Sequence, residues 1–265
     1  MHLDSSEKTY TGLKKISAAL AAECSALRFG SGTEAVYSPL VYAARPHNLY
    51  LKLVGAAPKK VIFLGMNPGP WGMAQTGVPF GEIAMVRDWL GIKAAVDKPE
   101  REHPKRPIEG FSCVRSEVSG RRLWGLFRQR FGTPEEFFRD HFVANYCPLV
   151  FMDQGGANIT PDKLPSEETL PLFEACDRAL ADTIKLLKPE WVIGVGGFAK
   201  KRIDKVKGRF FGGADYTFSS TQILHPSPAS PKANAGWDRE VVRTLTELGV
   251  WRRDELPQNY FLDQD

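Results

Sequence analysis

The chain has 265 residues, of which 43% are hydrophobic and 25% are charged, and its formal net charge is +4. This composition is typical of an ordinary globular protein and excludes a disordered or low-complexity chain. The mild positive charge is compatible with a polyanionic partner but does not by itself establish one.

The four cysteines are too far apart in the sequence to form a metal-binding motif. They are Cys24, Cys113, Cys147 and Cys176, and no two of them form a C-x-x-C pair. Structural zinc and iron–sulfur sites need closely spaced ligands, so we expect no metal and no other cofactor. The sequence has no apolar span of 18 residues, and residues 1–6 lack the apolar core of a signal peptide. We therefore expect a soluble, intracellular protein with reduced thiols and no membrane partner.

The first half of the chain contains one predicted helix and one predicted strand. Apolar residues recur at helical intervals over residues 13–27, which predicts an amphipathic helix. After an irregular, aromatic-rich stretch, the β-branched and apolar run Val61–Leu64 is typical of a buried strand. A loop rich in glycine and proline then extends to Phe80, and the charged residues 97–107 are expected to form an exposed connection.

In the second half of the chain, predicted strands alternate with predicted helices. The helices are predicted over residues 120–131, 167–187, 197–206 and 237–248, and the strands over residues 142–147, residues 191–195 and a run ending at His225. Such alternation indicates a three-layer α/β/α fold with a central, mostly parallel four-stranded sheet. We expect one domain over residues 1–265, with residues 1–35 as a helical extension packed on it.

Three polar side chains lie at or just after the ends of predicted strands. Asn67 follows the first strand, Asn145 lies at the end of the second, and His225 follows the fourth. Ligands of open α/β sheets bind at the carboxyl ends of the strands, so these side chains are expected to share one cleft. Taken singly, each has an ordinary structural explanation, such as a tight turn at Asn67. Together, on separate strands, they indicate a site for chemistry.

Two stretches around these residues resemble a known family. Residues 65–82 read GMNPGPWGMAQTGVPFGE and are similar to the first motif of the single-strand-selective monofunctional uracil-DNA glycosylases. Residues 225–228 read HPSP and, with the positions that follow up to Trp237, resemble the second motif. Residues 145–149, NYCPL, are similar to the strand that recognises the base. The resemblance extends from about residue 37 to residue 251.

The resemblance implies a uracil-DNA glycosylase fold and hydrolysis of the bond between uracil and deoxyribose in base excision repair. Asn67 would hold the attacking water, and His225 would stabilise the departing base. Asn145 would read the edge of the base, while Phe80 would stack on the base after it has flipped out of the helix. Three further residues would line the pocket near position 5 of the pyrimidine: Met66, Gly69 and Met73.

The chemistry of base excision agrees with these residue types. An enzyme that acts on a base must take it out of the stack, and a ring such as that of Phe80 recovers about 1–3 kcal/mol of stacking. The amide of Asn145 can accept from N3–H of uracil and donate to its 4-carbonyl, whereas cytosine presents the opposite pattern. No lysine among these residues offers an amine for a Schiff base, so we expect a monofunctional enzyme.

The glycine at position 69 predicts the breadth of the substrate range. Because Gly69 has no side chain, it can leave room beside position 5 of the base. We therefore predict that 5-hydroxymethyluracil is accepted together with uracil. Thymine would be refused because its methyl group cannot replace an ordered water.

Two segments are predicted to contact DNA, either single- or double-stranded, with the protein acting as a monomer. The resemblance implies that a loop and short helix wedge into the duplex, with contacts from Ser227, Pro228, Ala229, Ser230, Pro231, Lys232 and Asn234. Ala229 stands where a longer, often basic, side chain is expected, which predicts a weaker wedge. In the basic run over residues 200–209, Lys200 and Lys201 would contact phosphates, although such a run is also typical of a solvated helix face.

The residues alone leave two other classes of function open. Residues 194–199 fit the pattern G-x-G-x-x-A after a strand, with Asp215 about 20 residues further on, as in nicotinamide-dependent oxidoreductases. That motif normally begins a dinucleotide-binding domain, whereas here it comes late in the chain. A non-catalytic protein that binds damaged or single-stranded DNA could use the same pocket.

Overall fold

The structure is a computed structural model and describes residues 4–30, 32–252 and 254. The ends of the expected domain, residues 1–3 and 255–265, lie outside the described residues. The described helices are α1 (Ser5–Ser25), α2 (Pro39–Tyr42), α3 (Ala44–Leu53), α4 (Met73–Thr76), α5 (Val118–Phe131), α6 (Pro134–Asp140), α7 (Ser166–Leu187), α8 (Gly197–Phe211) and α9 (Pro231–Glu247). The described strands are β1 (Ala35–Tyr37), β2 (Val61–Gly65), β3 (His141–Asn145), β4 (Val150–Met152), β5 (Asn158–Ile159), β6 (Trp191–Val195) and β7 (Ser219–Ile223).

The central sheet of the described chain has four parallel strands in the order β3-β2-β6-β7. Its register pairs Gly65 of β2 with Asn145 of β3, and Val195 of β6 with Ile223 of β7. Because the strands run in the same direction, their carboxyl ends meet at one edge of the sheet. The predicted α/β class and the predicted four-stranded parallel sheet are both confirmed.

Helices cover both faces of this sheet, as the side chains of β2 show. All five residues of β2 are buried, which is typical of a parallel strand covered on both sides. The ring of Phe63 packs against Phe127 of α5, with ring centroids 5.0 Å apart. The next residue, Leu64, points to the other face and lines a small apolar cavity of about 70 Å³ with Leu13 of α1 and Leu180 of α7. These contacts give the three layers of the α/β/α arrangement.

Several predicted boundaries are shifted by a few residues. The second strand of the predicted sheet ends at Asn145 rather than two residues later. The fourth ends at Ile223, so that His225 lies in the following loop. Helix α9 begins at Pro231 and is kinked at Gly236, where φ is 148° and the backbone is not helical. The expected short helix of the wedge and the expected last helix are therefore the two halves of α9.

A second sheet is not predicted by the sequence. It is antiparallel, with the described strands in the order β1-β4-β5. Strands of two or three residues are too short to show an alternating pattern, so they leave no periodic signal. A separate cluster of buried side chains that includes Tyr37 and Val150 packs beneath this sheet, and the residues at β5 reach the pocket described below.

All four cysteines are free, buried thiols. Burial, together with hydrogen-bonding contact to the thiols of Cys147 and Cys24, raises the pKa of the Cys176 thiol. Among the described residues, no group of three or more histidine, cysteine or acidic side chains is arranged to hold a metal ion. In the same part of the chain, no helix combines the length and the apolar content that crossing a membrane requires.

Two histidines are buried in the core as neutral imidazoles. His47 of α3 donates from Nδ1 to the Gly77 carbonyl oxygen at 2.8 Å, and burial lowers the pKa of His47 to about 4. His141 of β3 donates from Nδ1 to the Phe137 carbonyl oxygen and accepts from the Trp251 indole at Nε2, both at 3.2 Å. Burial lowers the pKa of His141 to about 3. Protonation would set a second N–H of His141 against the indole donor, so the core accommodates only the neutral form.

Acidification to pH 5 is expected to destabilise the fold through these two residues. In the unfolded chain each imidazole titrates near 6.5, so below that pH the unfolded state binds more protons than the folded state. The stabilisation is therefore complete above about pH 6.5 and is lost as the pH falls, by about 2 kcal/mol per histidine between pH 7 and pH 5. Urea unfolding at both pH values measures this loss. The variant His141→Gln cannot titrate and should lose about 2 kcal/mol less than the wild type; an equal loss would contradict the assignment.

Candidate active site

A cavity of about 390 Å³ opens at the carboxyl edge of the parallel sheet. Its walls come from the loop after β2, the end of β3, the start of α5 and the segment after β7. The predicted site residues that line it are Met66, Asn67, Gly69, Met73, Phe80, Asn145, His225, Ser227 and Pro228. The structure therefore brings together the side chains expected for catalysis and base binding, whereas the remaining expected DNA contacts lie outside this cavity.

Asn67 is held by the loop that follows β3. Its Nδ2 donates to the carbonyl oxygen of Leu149 at 3.3 Å. Because the amide nitrogen is bound to the protein, the orientation of the side chain is fixed and Oδ1 remains as the acceptor for a ligand or a water.

Asn145 offers a buried acceptor that no described residue satisfies. Its Nδ2 lies 3.2 Å from the sulfur of Met73, which is only a weak acceptor. Among the described residues, no group donates to the buried Oδ1 of Asn145. Leaving such an atom without a hydrogen bond costs roughly 1–3 kcal/mol. The arrangement therefore suits a ligand that donates to Oδ1 and accepts from Nδ2.

Phe80 is held in an unusual backbone conformation at the side of the cavity. Its φ is +54°, a value that is rare for a bulky residue and that is found chiefly at functional sites. Two residues of α5 allow this turn. Gly120 of α5 has no side chain to collide with the Phe80 carbonyl group, and the Trp124 indole donates to the Pro79 carbonyl oxygen at 3.0 Å. The ring of Phe80 lies 6.3 Å from the ring of His225, measured between centroids.

His225 faces the cavity as a neutral imidazole, because burial lowers its pKa. The two glycines of the G-x-G-x-x-A pattern are required by the packing of the elements around His225. A Cβ at Gly194 would lie 2.5 Å from the backbone nitrogen of Lys200, so glycine is needed for α8 to pack on β6. Gly196 has a φ of +93°, and a Cβ there would lie 3.2 Å from the Cβ of His225. These glycines therefore have packing roles that require no dinucleotide.

Four polar residues of the cavity are not identified by the sequence: Glu117, Ser119, Asn158 and Thr160. Glu117 accepts from the backbone N–H of Trp71 at 3.3 Å and from the hydroxyl of Ser119 at 3.1 Å. Burial raises the pKa of the Glu117 carboxyl group, against the effect of these two hydrogen bonds. An acidic residue before a helix is an ordinary feature of sequences, so no local pattern marks Glu117 as a pocket residue.

A further residue that the sequence does not single out, Arg122, fixes the loop after His225. Its guanidinium donates to the carbonyl oxygens of Pro226 and Ser227, both at 3.3 Å, and to Oδ1 of Asn234 at 2.8 Å. Ser230 caps α9 by accepting from the backbone N–H of Ala233. Two of the expected DNA contacts, Ser230 and Asn234, thus already use their side chains to shape the loop.

The basic run on α8 does not form a continuous positive face. Arg202 points inward, where its NH2 group lies 2.6 Å from both carboxylate oxygens of Asp177. Lys200 pairs with Asp204, one turn later on the same helix, at 2.6 Å. Lys201 is exposed. Of the two lysines expected to contact phosphate, one is therefore partly neutralised by a neighbouring carboxylate.

The Asp177–Arg202 ion pair supports the strand that carries Asn145. The hydroxyl of Tyr146, the residue after Asn145, donates to Oδ1 of Asp177 at 2.7 Å. The guanidinium of Arg202 also lies over the rings of Tyr146 and Phe173, 5.1 and 4.5 Å from their centroids. This network connects the end of β3 to α7 and α8, and it fixes the backbone next to Asn145.

The fold is that of a known class of protein. The family model of the uracil DNA glycosylase superfamily matches residues 53–246. The crystal structure of wild-type Pedobacter heparinus SMUG2 has the same fold, with a TM-score of 0.61 at 15% identity over 89% of this chain and 97% of that chain. The chain belongs to the uracil DNA glycosylase superfamily.

Comparison with curated proteins narrows the class. The single-strand selective monofunctional uracil-DNA glycosylase of Rattus norvegicus is 48% identical over 231 residues, which cover 87% of this chain and 82% of the relative. Those of Mus musculus and Bos taurus are each 47% identical, over 87% and 84% of this chain and 81% of each relative. Within the superfamily, the chain is thus a member of this single-strand selective family, which confirms the family predicted from the sequence.

Removal of the buried Asp177 carboxylate is expected to lower the free energy of unfolding substantially. Asp177→Ala leaves Arg202 buried without a counter-ion, and breaking such a pair typically lowers the free energy of unfolding by about 3–5 kcal/mol. Urea unfolding of the variant measures the loss. Glu174→Ala, which removes ion pairs between exposed side chains with Arg178 and Arg209, is the matched control and should have a far smaller effect. Equal losses in the two variants would show that the buried ion pair contributes no more to stability than the exposed pairs.

Proposed function

We propose that the protein hydrolyses the N-glycosidic bond of uracil in DNA and leaves an abasic site without cutting the strand. The observation that carries the proposal is the convergence of Asn67, Asn145 and His225, from different strands of one parallel sheet, on a cavity flanked by Phe80. The relatives named above are uracil-DNA glycosylases, which supports the same reaction. A nicotinamide-dependent oxidoreductase is not favoured, because the relatives carry glycosylase names.

Asn145 is proposed to recognise the edge of uracil. Its Oδ1, which has no donor among the described residues, accepts from N3–H of the base. Its Nδ2, which contacts the sulfur of Met73, donates to the 4-carbonyl. Cytosine presents an acceptor at N3 and a donor at position 4, so it would leave both groups of the amide unpaired.

His225 and Asn67 are proposed to carry the chemistry. Cleavage develops positive charge on the sugar and negative charge on the leaving base. The neutral imidazole of His225 donates a hydrogen bond to the 2-carbonyl and stabilises that negative charge where it forms. Asn67 has no titratable group, but its fixed Oδ1 can orient the water that attacks the sugar.

The protein is proposed to act on DNA as a monomer, with residues 1–265 as one domain. The loop that Arg122 fixes follows His225 directly, so its contacts with DNA, from Ser227 to Asn234, are set beside the extruded base. Lys201 and Lys200 are proposed to contact the phosphates. The substrates would include both single- and double-stranded DNA, and 5-hydroxymethyluracil as well as uracil.

The proposal is tested by incubating the protein with an oligonucleotide that contains uracil and then cleaving abasic sites with alkali. The wild type is expected to generate cleavable sites, whereas a protein that only binds damaged DNA would generate none. Asn67→Ala should abolish release while largely preserving DNA binding. His225→Ala should slow release by about 100- to 1,000-fold, the usual cost of losing a preorganised donor. Near-wild-type rates in both variants would contradict the assigned roles.

The close packing around Gly65 predicts a second loss of activity. A Cβ at Gly65 would lie 2.5 Å from the ring of Phe80 and would overlap Oδ1 of Asn145. Gly65→Ala should therefore displace both side chains and slow uracil release by about 100-fold, as small misplacements in active sites do. Gly125→Ala is the matched control, since a Cβ there would meet no described atom within 4 Å apart from its chain neighbours and the backbone of its own helix. Thermal melting would show whether both variants fold, and an unimpaired Gly65→Ala enzyme would rule out this packing role.

A further inference from the structure

A tryptophan at the rim of the cavity is in contact with two arginines. Trp71 is half-buried and follows Pro70, which lines the cavity. The guanidinium carbon of Arg106 lies 5.0 Å from the centroid of the indole ring, and that of Arg115 lies 4.5 Å from it. Guanidinium groups at such distances are attracted by the ring electrons. Trp71, Arg106 and Arg115, the Trp71 cluster, thus concentrate two positive charges at the rim.

The backbone of Arg106 is held by buried polar groups. The buried amide of Gln75 donates to the carbonyl oxygens of Pro70 and Pro107, at 3.1 and 3.0 Å. It thereby joins the wall of the cavity to the residue after Arg106. The hydroxyl of Tyr37 donates to the carbonyl oxygen of Arg106 itself, at 2.7 Å. The fold therefore sets the position of Arg106, without help from a ligand.

The turn that carries Trp71 is fixed against Glu117, the residue before α5. A Cβ at Gly69 would overlap Oε2 of Glu117, so this side chain occupies the space that the glycine leaves. The same oxygen accepts from the backbone N–H of Trp71 at 3.3 Å. Arg115 precedes Glu117 by two residues in the chain. Both sides of the Trp71 cluster are therefore attached to residues that line the cavity.

Neither arginine of the Trp71 cluster forms an ion pair with a described residue. Over that part of the chain, the guanidinium of Arg115 also makes no hydrogen bond, and Nε of Arg106 is buried without an acceptor. By contrast, Lys98 and Arg101 of the same charged connection are each paired with a carboxylate. The cluster thus offers uncompensated charge and unused donors in a planar arrangement, which suits a phosphate group.

We propose that the Trp71 cluster binds phosphates of the DNA strand that carries the extruded uracil, an inference that rests on the proposed function. A nucleotide in the cavity leaves its flanking phosphates at the rim, where the strand passes Arg106 and Arg115. The ring of Trp71 restricts both guanidinium groups before DNA binds, which lowers the entropy that binding costs. The strand also covers Val114, which is 95% exposed beside Arg115. Because this contact needs only one strand, it is available in single-stranded DNA.

The test measures the affinity for a single-stranded oligonucleotide with one uracil, by fluorescence anisotropy at several salt concentrations. The proteins carry Asn67→Ala, so that the uracil is retained. Adding Arg115→Gln should remove one phosphate contact and make the slope of log K against log salt concentration shallower by about 0.7. Binding should then be about fivefold weaker at about 0.1 M salt, and the difference should vanish toward 1 M. Arg106→Gln should have the same effect.

Arg101→Gln is the matched control. It removes one positive charge from the same exposed connection, but Arg101 is paired with Glu34. Its affinity and salt slope should therefore remain those of the parent protein. A loss equal to that of Arg115→Gln would show that only the net charge matters, and the proposal would be wrong. Thermal melting establishes that all of the variants are folded.

Oligonucleotides with the uracil at one end locate the contact. One set carries nucleotides only on the 5′ side of the uracil, and the other set only on the 3′ side. Because the Trp71 cluster lies on one side of the cavity, Arg115→Gln should weaken the binding of one set and spare the other. Equal weakening of both sets, or an unchanged salt slope, would show that the arginine only shapes the loop and would overturn the inference.

The failure of this inference differs from the failure of the proposed function. Binding is measured without release of the base, so the salt slope tests the contact of Arg106 and Arg115 with DNA independently of catalysis. If the wild type releases no uracil, the proposed function is wrong. If it releases uracil and both arginine variants bind DNA as the parent does, only the inference about the Trp71 cluster is wrong.

Discussion

The bare backbone at Gly65, at the carboxyl end of β2, is the constraint on which the candidate site depends. The parallel register places Asn145 beside it, and the missing side chain allows the ring of Phe80 to approach the same point. A methyl group at this position would displace both the amide of Asn145 and the ring of Phe80. The register of the sheet thus positions Asn145, and the turn with a positive φ positions Phe80, next to the same backbone atoms of Gly65.

The cavity is prepared for a ligand because several of its polar groups are incompletely satisfied. The buried Oδ1 of Asn145 has no donor among the described residues, and burial keeps His225 neutral. Glu117 keeps spare lone pairs while burial raises its pKa. Each of these features costs folding free energy, and the surrounding aromatic and aliphatic core offsets that cost. A ligand that supplies the missing partners would gain these hydrogen bonds, which is how such a pocket combines affinity with selectivity.

The side chains that are proposed to bind the base are positioned by groups that lie outside the cavity. The end of β3 is fixed by the contacts of Tyr146 with Asp177 and Arg202. The loop after His225 is fixed by three hydrogen bonds from Arg122. Arginines in basic stretches near a DNA cleft would ordinarily be assigned to phosphate binding. Here both guanidinium groups are bound within the protein, Arg122 to neutral oxygens and Arg202 to the Asp177 carboxylate, and only the charge of Arg202 is compensated by that contact. Rigid support of this kind matters because displacements on the order of 1 Å reduce catalysis strongly.

The sequence by itself determined the central sheet, the family and the three polar residues at the strand ends. Buried parallel strands require short β-branched runs such as that of β2, and the motif at residues 65–82 is too specific to arise from packing alone. Tertiary structure alone decided the short second sheet, the inward direction of Arg202 and the presence of Glu117 beside Gly69. These features depend on contacts between residues far apart in the chain. Such contacts follow from the packing of whole elements against one another, and they leave no periodicity or local composition by which a sequence could reveal them.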